Sequence, residues 1–308
     1  MARHRLGSVG FVFVCLAVAI PAGARADQLE VYTGRNASGY LAPLVDAFRS
    51  NLNSGLFHSA RVEPDGLHVS LEFAVMSTFF GADSRSYRAV TETGFTPEMY
   101  VDAPTVIGDP NAVFVMGEAA TMFAFPGGFD VDNMYLSCPQ LRIGSWKGTE
   151  AVGRLILYDT GNEDIGSLGV WGGGVRHSLS QYFAGMAPVD LAVAGMWQHA
   201  RLSTIGGLDI VDSDLYTLAL HSGVALGPMY TYAGVAIDWY RFGVHYELDG
   251  IDPIDLSFQA NEDFQLTLGA SYRVGFVAAF GEYNFADQNT LAAGLSVNFP
   301  FTSRSVTQ

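Results

Sequence analysis

The groups in this 308-residue chain that could do chemistry are its 16 basic residues, 31 acidic residues and seven histidines. His177, His199, His221 and His245 come first, because a hydrolase needs a serine and a histidine within hydrogen-bond reach and an acid or amide to orient the ring. His177 adjoins Ser178, but consecutive residues of a strand point to opposite faces, so that pair alone cannot act as base and nucleophile. No two His, Cys or carboxylate residues stand at a zinc-binding spacing. The acidic stretches Asp159-Thr160-Gly161-Asn162-Glu163-Asp164 and Asp249 to Asp255 offer oxygen ligands for calcium, yet without the order of a calcium loop. Solvated loops are the plainer reading. Gly172-Gly173-Gly174 is followed neither by a helix start nor by Lys-Ser/Thr, so it is not a phosphate loop. It is expected to ease a bend or a close backbone approach. The expectation is therefore no catalytic residue, no cofactor and no metal: a protein that is not an enzyme.

Composition narrows the class. Charged residues make up 15 % and hydrophobic residues 49 %, with a mean hydropathy of +0.21, against about 25 % charged in an average soluble domain. This excludes a disordered chain. A net charge of −15, with Lys147 the only lysine, excludes nucleic acid as a partner, because no basic surface is there to hold phosphates. Arg3 and Arg5, the apolar run Val9 to Ile20 and the small residues of Ala24-Arg25-Ala26 predict a signal peptide over residues 1–26. Twelve apolar residues are too few for a helical span. Cys15 goes with that segment, and Cys138 alone cannot form an internal disulfide.

The remaining apolar residues fall at period two. In Leu67–Phe79 the odd positions are Leu67, Val69, Leu71, Phe73, Val75, Ser77 and Phe79, one greasy face of a long strand. Phe264 to Tyr272 and Leu291 to Phe299 alternate in the same way, and noisier runs lie at 149–158, 168–177, 189–202, 215–226, 229–239 and 274–283. Their length suits the roughly 9–11 residues of a tilted bilayer-crossing strand better than the five or six of a soluble one. Tight connections at Leu226-Gly227-Pro228 and Arg273-Val274-Gly275 alternate with longer acidic ones at Asp159–Ile165, Ser203–Asp212 and Leu248–Asp263. Short turns at one rim and long loops at the other are the pattern of an outer-membrane barrel. The predicted fold class is all-β, a transmembrane antiparallel β-barrel of about 12 strands, range roughly 10–14. Ten strands come from the traced runs. A hairpin from Ala112–Met116 and Thr121–Phe125 would add two, and pairing of 57–63 with 86–92 two more. The division is a signal peptide over 1–26, an N-terminal segment over 27–60, the barrel over 61–301 and a tail over 302–308.

One stretch departs from period two. Leu41, Leu44, Val45, Phe48 and Leu52 fall at helical spacing in Tyr40–Leu52, with Ser38 placed to cap and Asn53-Ser54-Gly55 placed to stop the helix. A short amphipathic helix thus precedes the first strand, either packed beneath the barrel or plugging it. Its apolar stripe needs an apolar partner, so a plug would imply a partly apolar pore. Charge facing lipid near the midplane costs about 2–4 kcal/mol for Arg or Lys, which sends Glu72, Glu150, Arg154, Asp238 and Arg273 toward the lumen. There they could form a selectivity lining or hold a polar substrate group. A network that merely fills a narrow barrel is the plainer reading. Phe79, Phe80, Trp146, Tyr158, Trp197, Trp239, Tyr240 and Tyr272 are read as an interfacial girdle.

Several of these residues carry a resemblance. Tyr40-Leu41-Ala42-Pro43-Leu44, Asn53-Ser54-Gly55-Leu56-Phe57-His58-Ser59-Ala60, Pro126-Gly127-Gly128, Pro139-Gln140-Leu141 and Gly174-Val175-Arg176-His177-Ser178 are similar to the landmarks of a family of bacterial outer-membrane barrels known only by a domain-of-unknown-function label. The resemblance spans most of the chain after residue 26 and implies an outer-membrane location, without an activity. A looser similarity to fatty-acid-transporter barrels, through the helix ahead of the barrel, implies uptake of hydrophobic molecules by analogy of fold alone. Nine residues follow Phe299, so recognition by the barrel-assembly machinery would use an internal Phe299 or Phe301.

The function expected is that of an outer-membrane channel or uptake porin for small, hydrophobic solutes. Its expected partners are outer-membrane lipid, the barrel-assembly machinery and the solute. A non-conducting barrel that binds a partner through 81–134 is the alternative, and a membrane hydrolase a third.

Overall fold

A computed structural model describes residues 35–62, 66–159, 166–183, 189–203, 209–246 and 254–300. The expected signal peptide over 1–26, residues 27–34, the expected tail over 302–308, Phe301 and most of the two acidic stretches lie outside the described residues. No described helix is long and apolar enough to cross a membrane.

The chain runs from helix α1 (Arg35–Leu52) to strand β1 (His68–Phe79), then through two small hairpins, β2 (Ser86–Val90) with β3 (Tyr100–Pro104) and β4 (Val113–Met116) with β5 (Met122–Phe125). Nine consecutive strands follow: β6 (Asn133–Trp146), β7 (Thr149–Asp159), β8 (Ser167–Ser178), β9 (Asp190–Ser203), β10 (Asp209–Leu226), β11 (Met229–Tyr246), β12 (Ile254–Val274), β13 (Val277–Phe285) and β14 (Thr290–Pro300). With β1 they make a closed antiparallel barrel, sealed where β1 pairs with β14 from His68↔Pro300 to Thr78↔Thr290.

The wall therefore has ten strands, the lower end of the expected range. Of the expected runs 112–116 and 121–125, residues 113–116 do pair with 122–125, and 86–90 pairs with 100–104, but each hairpin is a separate two-stranded sheet. Strands of four or five residues are too short to cross a bilayer, so they fold over the rim instead. The expected loops at Ser203–Asp212 and Leu248–Asp263 are partly strand, since β10 begins at Asp209 and β12 at Ile254. A register shift between Asp238 and Tyr240 on the β11–β12 pair breaks the alternation there, which hides the start of β12 from a period-two count.

The burial pattern is inverted relative to a water-soluble barrel. Leu71, Leu155, Leu157, Leu218, Phe264 and Leu295 are exposed on the outer face, while Glu72, Glu150, Arg154, Arg176 and Glu282 are buried on the inner one. Such a surface suits lipid, which has no water to satisfy a backbone, and a closed barrel leaves no unpaired edge. Among the expected girdle residues, Phe79, Trp146, Trp197, Trp239 and Tyr272 are exposed. Tyr158 and Tyr240 instead turn inward against apolar clusters.

Helix α1 stands inside the barrel. Its start is fixed at the long-loop rim by Asn36, which exchanges hydrogen bonds with the Val90 backbone, and by Tyr40, whose hydroxyl donates to Gly127 O at 3.0 Å. These contacts carry the helix back to Arg35, so Ser38 lies within it rather than ahead of it. At the other end the chain turns at Gly55, whose φ of +65° favours glycine. Residues 56–62 then continue down the lumen to the short-turn rim, where Gly66 exchanges backbone hydrogen bonds with Ser145.

Gly172 and Gly174 face inward against β9. A Cβ at Gly174 would lie 2.5 Å from Gly195 O and one at Gly172 2.6 Å from Trp197 O, whereas one at Gly173 meets Val152 O at 3.9 Å. Gly174→Ala is expected to cost about 1–3 kcal/mol through backbone displacement and to lower the folded fraction on heat-shift gels. Gly173→Ala should refold like the parent chain.

Candidate functional site

The lumen is divided along its axis. Toward the short-turn rim it is a charged network built from β1, β6, β7, β8, β9 and β13. Toward the loop rim it is apolar.

The charged half is organised around the end of α1. A helix leaves its last carbonyls without partners and carries partial negative charge there. Arg154 supplies both needs: Nη1 donates to Leu52 O at 2.6 Å, Nη2 to Ser54 O at 2.8 Å and Nε to Gln140 Oε1 at 3.0 Å. Gln198 Nε2 adds a second donor to Leu52 O at 3.0 Å. On β13, Glu282 accepts the backbone N–H of Gly55 at 2.7 Å and the Tyr232 hydroxyl at 2.8 Å, and Asn284 Nδ2 donates to Ser54 Oγ at 3.0 Å.

Below this, His58 of the plug stacks on Phe280 at 4.4 Å and pairs through Nε2 with Glu72 Oε1 at 2.8 Å. The other Glu72 oxygen accepts from Gln140 at 2.6 Å and Arg142 at 3.1 Å. Arg176 pairs with Glu150 and donates to Ser59 O, and His68 Nε2 meets Glu150 Oε1 at 3.1 Å. Between the plug and β10–β13 lies a cavity of about 10 Å³ lined in part by Asn53, Phe57, Thr217, His221 and Glu282, room for about one water molecule.

Of the residues expected in the lumen, the structure buries Glu72, Glu150, Arg154 and Asp238. Glu72 and Glu150 meet at Arg142, with Arg142 Nε 3.9 Å from Glu150, and Arg154 joins them through Gln140. Asp238 stands apart on β11, between Thr217 of β10 and Asp263 of β12. Arg273 has the inward register of Gln265 and Thr267 but sits at the end of β12, exposed, with its backbone N–H on Pro228 O. Sequence reasoning missed Arg142, Arg176 and Glu282. The rule used for the others would have found them, since each is a charged residue inside a strand and cannot face lipid. His58 and the backbone acceptors of the plug carried no such signal.

The apolar half gathers the helix stripe. Leu52 joins Met76, Leu136, Cys138, Ile156, Leu168, Val170 and Leu215, with Phe48, Tyr158 and Tyr240 against them. Higher up, Val45, Leu41 and Tyr40 pack with the hairpin residues Ala89, Ala103, Val115 and Phe125 and with Phe242, Val244 and Leu256. Of the expected stripe, Val45 and Leu52 are fully buried and Leu41, Leu44 and Phe48 half-buried. Arg49 reaches back to Asp263 at 2.6 Å and lies over the Tyr240 ring.

One seam of the wall is incomplete. β6 pairs with β1 from Asn133 to Gly144, but with β7 only from Gln140↔Arg154 to Ile143↔Ala151 and at Trp146↔Thr149. The next residue is Pro139, which has no N–H to donate, and the paired ladder ends there. Above it Leu136, Cys138 and Ile156 border the seam from the apolar cluster. Asn51 of the plug donates to Met134 O at 3.1 Å beside this stretch.

Three of the four histidines singled out have other partners. His177 bonds to Thr149 and Tyr182 while Ser178 is buried on the opposite face, His221 lies against Phe57, and His245 pairs with Asp255. Nothing among the described residues identifies an enzyme.

A closed, inverted barrel whose part-charged, part-apolar interior is filled by its own N-terminal segment defines a plugged transmembrane β-barrel. The chain belongs to a family of unknown function, DUF6588, whose model matches residues 9–299. A search of the curated proteins found no match. Among the solved structures that the chain resembles are three bacterial proteins. The outer membrane protease OmpT from Escherichia coli has 9 % identity, with 78 % of this chain and 98 % of that chain covered and a TM-score of 0.35. The translocator domain of autotransporter NalP from Neisseria meningitidis has 12 %, 88 % and 99 %, and 0.37. The P. putida toluene transporter TodX has 11 %, 88 % and 95 %, and 0.33. Each likeness is distant and says nothing about activity.

Removing Arg176 would leave Glu150, nearly solvent-free, without its closest cation. Arg176→Met is expected to destabilise the barrel by about 3 kcal/mol or more, read as a lower urea midpoint in detergent micelles. Adding Glu150→Gln should restore at least half of the loss.

Proposed function

We propose that this chain is a bacterial outer-membrane barrel that is closed along its axis at rest and admits small hydrophobic solutes through its wall. The observation that carries the reading is the incomplete β6–β7 seam, whose unpaired stretch borders the apolar half of the lumen. Solute partitioned into the bilayer would meet the exposed Leu155 and Leu157 first, pass between the strands to the buried Leu136, Cys138 and Ile156, and then displace Phe48 and Leu52, side chains held there by packing alone. In this reading the short-turn rim faces the periplasm and the hairpin cap faces outward, following the loop asymmetry of such barrels. Glu72, Glu150, Arg154 and Asp238 then serve to hold the plug and, once it shifts, to line a hydrated exit. Arg273 stands at the mouth of that exit.

The packed lumen favours a second reading, a non-conducting barrel that presents the β2–β5 cap to a partner. One experiment separates the two. Continuing the β6–β7 register by two places sets Cys138 opposite Ile156, so Ile156→Cys supplies a thiol for a cross-seam disulfide. In liposomes loaded with a fatty-acid-sensing dye, the reduced variant should take up a hydrophobic probe like the parent. Oxidation should slow uptake at least tenfold, and reduction should restore it. Uptake indifferent to oxidation would reject the wall route, and no uptake by the parent above empty liposomes would leave the non-conducting barrel.

A further inference from the structure

The outer face of the wall carries a polar cluster near the loop rim that neither the plug nor the seam uses. His199 and Arg201 of β9 alternate with inward Gln198 and Ala200, and Asp212 and Asp214 of β10 alternate with inward Ser213 and Leu215. All four therefore share the lipid-facing side of one strand pair. Two indoles stand against them: the Trp171 ring lies 4.4 Å from the His199 ring, and Trp197 Nε1 donates to Asp214 Oδ1 at 3.1 Å. Indole rings prefer the headgroup level, which sets the depth of the cluster.

We infer that His199 and Asp212 hold one divalent transition-metal ion, with Asp214 orienting the imidazole. His199 Nδ1 donates to Asp214 Oδ1 at 3.1 Å, which fixes the tautomer and leaves the lone pair on Nε2, the arrangement by which a carboxylate prepares a histidine for a metal. Nε2 is buried without a hydrogen-bond partner and lies 3.6 Å from Asp212 Oδ2. That gap is too long for an N–H donor to bridge. An ion at ~2.1 Å from both atoms would subtend an angle of about 120° between them, close to zinc geometry. Ligand atoms from His199, Asp212 and Asp214 all lie within 4.8 Å of one another. One imidazole and one carboxylate suit zinc, copper or nickel better than calcium or magnesium. The remaining positions face the headgroup layer, where water or a headgroup phosphate oxygen completes the shell. Arg201 is the cation with which the metal competes, its Nη2 being 3.7 Å from Asp212 Oδ2 and its Nε 3.4 Å from Asp209. The site was invisible as a motif because its ligands stand on two different strands, so no fixed short spacing marks it.

The full-length chain in detergent micelles, titrated calorimetrically with ZnCl₂ at pH 7.5, should bind one Zn²⁺ per barrel. CuCl₂ should quench the fluorescence of Trp171 and Trp197 at the same stoichiometry, and Trp171→Phe with Trp197→Phe should remove most of that quenching. His199→Gln and Asp212→Asn should each weaken binding at least tenfold, and Asp214→Asn by roughly 10–100-fold through loss of the orienting acceptor. Arg201→Gln should tighten it. Asp212 is exposed, so its variant tests the site in a barrel whose interior is untouched, and gel heat-shift checks the fold of each. No Zn²⁺ binding, or binding that survives either His199→Gln or Asp212→Asn, would overturn the proposal.

Discussion

Arg154 is wholly buried in the middle of a membrane barrel, and it is tolerable there because the last turn of α1 ends on it. The guanidinium supplies donors to the Leu52 and Ser54 carbonyls, which the helix cannot satisfy itself, and the helix end supplies the negative charge that the guanidinium lacks. Neither partner could be left alone at that depth without a penalty of several kcal/mol. The same reciprocity runs through Glu282 with the Gly55 amide, Glu72 with His58 and Arg176 with the Ser59 carbonyl. The charged wall is therefore completed by its plug, much as one half of a core is completed by the other.

That dependence explains why the lumen is divided. Where the plug exposes backbone, at residues 52–59, the wall answers with Arg, Glu, Gln and Asn. Where it is helical and its backbone satisfied, the wall answers with Leu, Val, Ile and Met. The apolar stripe of α1 thus needs an apolar half-lumen, and the long strands β10–β12, with 18–21 residues each, rise past the bilayer to supply Phe242, Val244 and Leu256 as its upper part. The two small hairpins close over it. The ladder between β6 and β7 stops above Pro139, where the plug's Asn51 bonds to Met134 O.

Much of the fold was legible in the sequence, because period-two alternation records which side of a strand meets lipid. All but Leu67 of Leu67–Phe79, and all of Phe264–Tyr272 and Leu291–Phe299, lie in wall strands. What alternation could not reveal was where a strand bulges, as at the start of β12, or whether a short pairing run inserts into the wall, as with β2–β5. The helix was legible from Leu41, Leu44, Val45, Phe48 and Leu52, and Asn53-Ser54-Gly55 marked its end. Its earlier start was not, because Asn36 is held by Val90, more than fifty residues away. Of the buried network, the charged wall residues could be read from the cost of charge in lipid. The partners they find on the plug are backbone carbonyls and amides, which leave no trace in residue type. That is why Glu72 and Arg154 could be placed inside while the reason for their presence could not.

Single-channel recording in planar bilayers tests the central claim, that the N-terminal segment seals the barrel, most directly. The intact chain should be silent, and a chain lacking Tyr40–Leu52 should open discrete, ohmic channels whose selectivity changes on substitution of Arg154. Steady conductance from the intact chain would contradict the account, and so would silence after the deletion in a barrel that retains its heat-shift on gels.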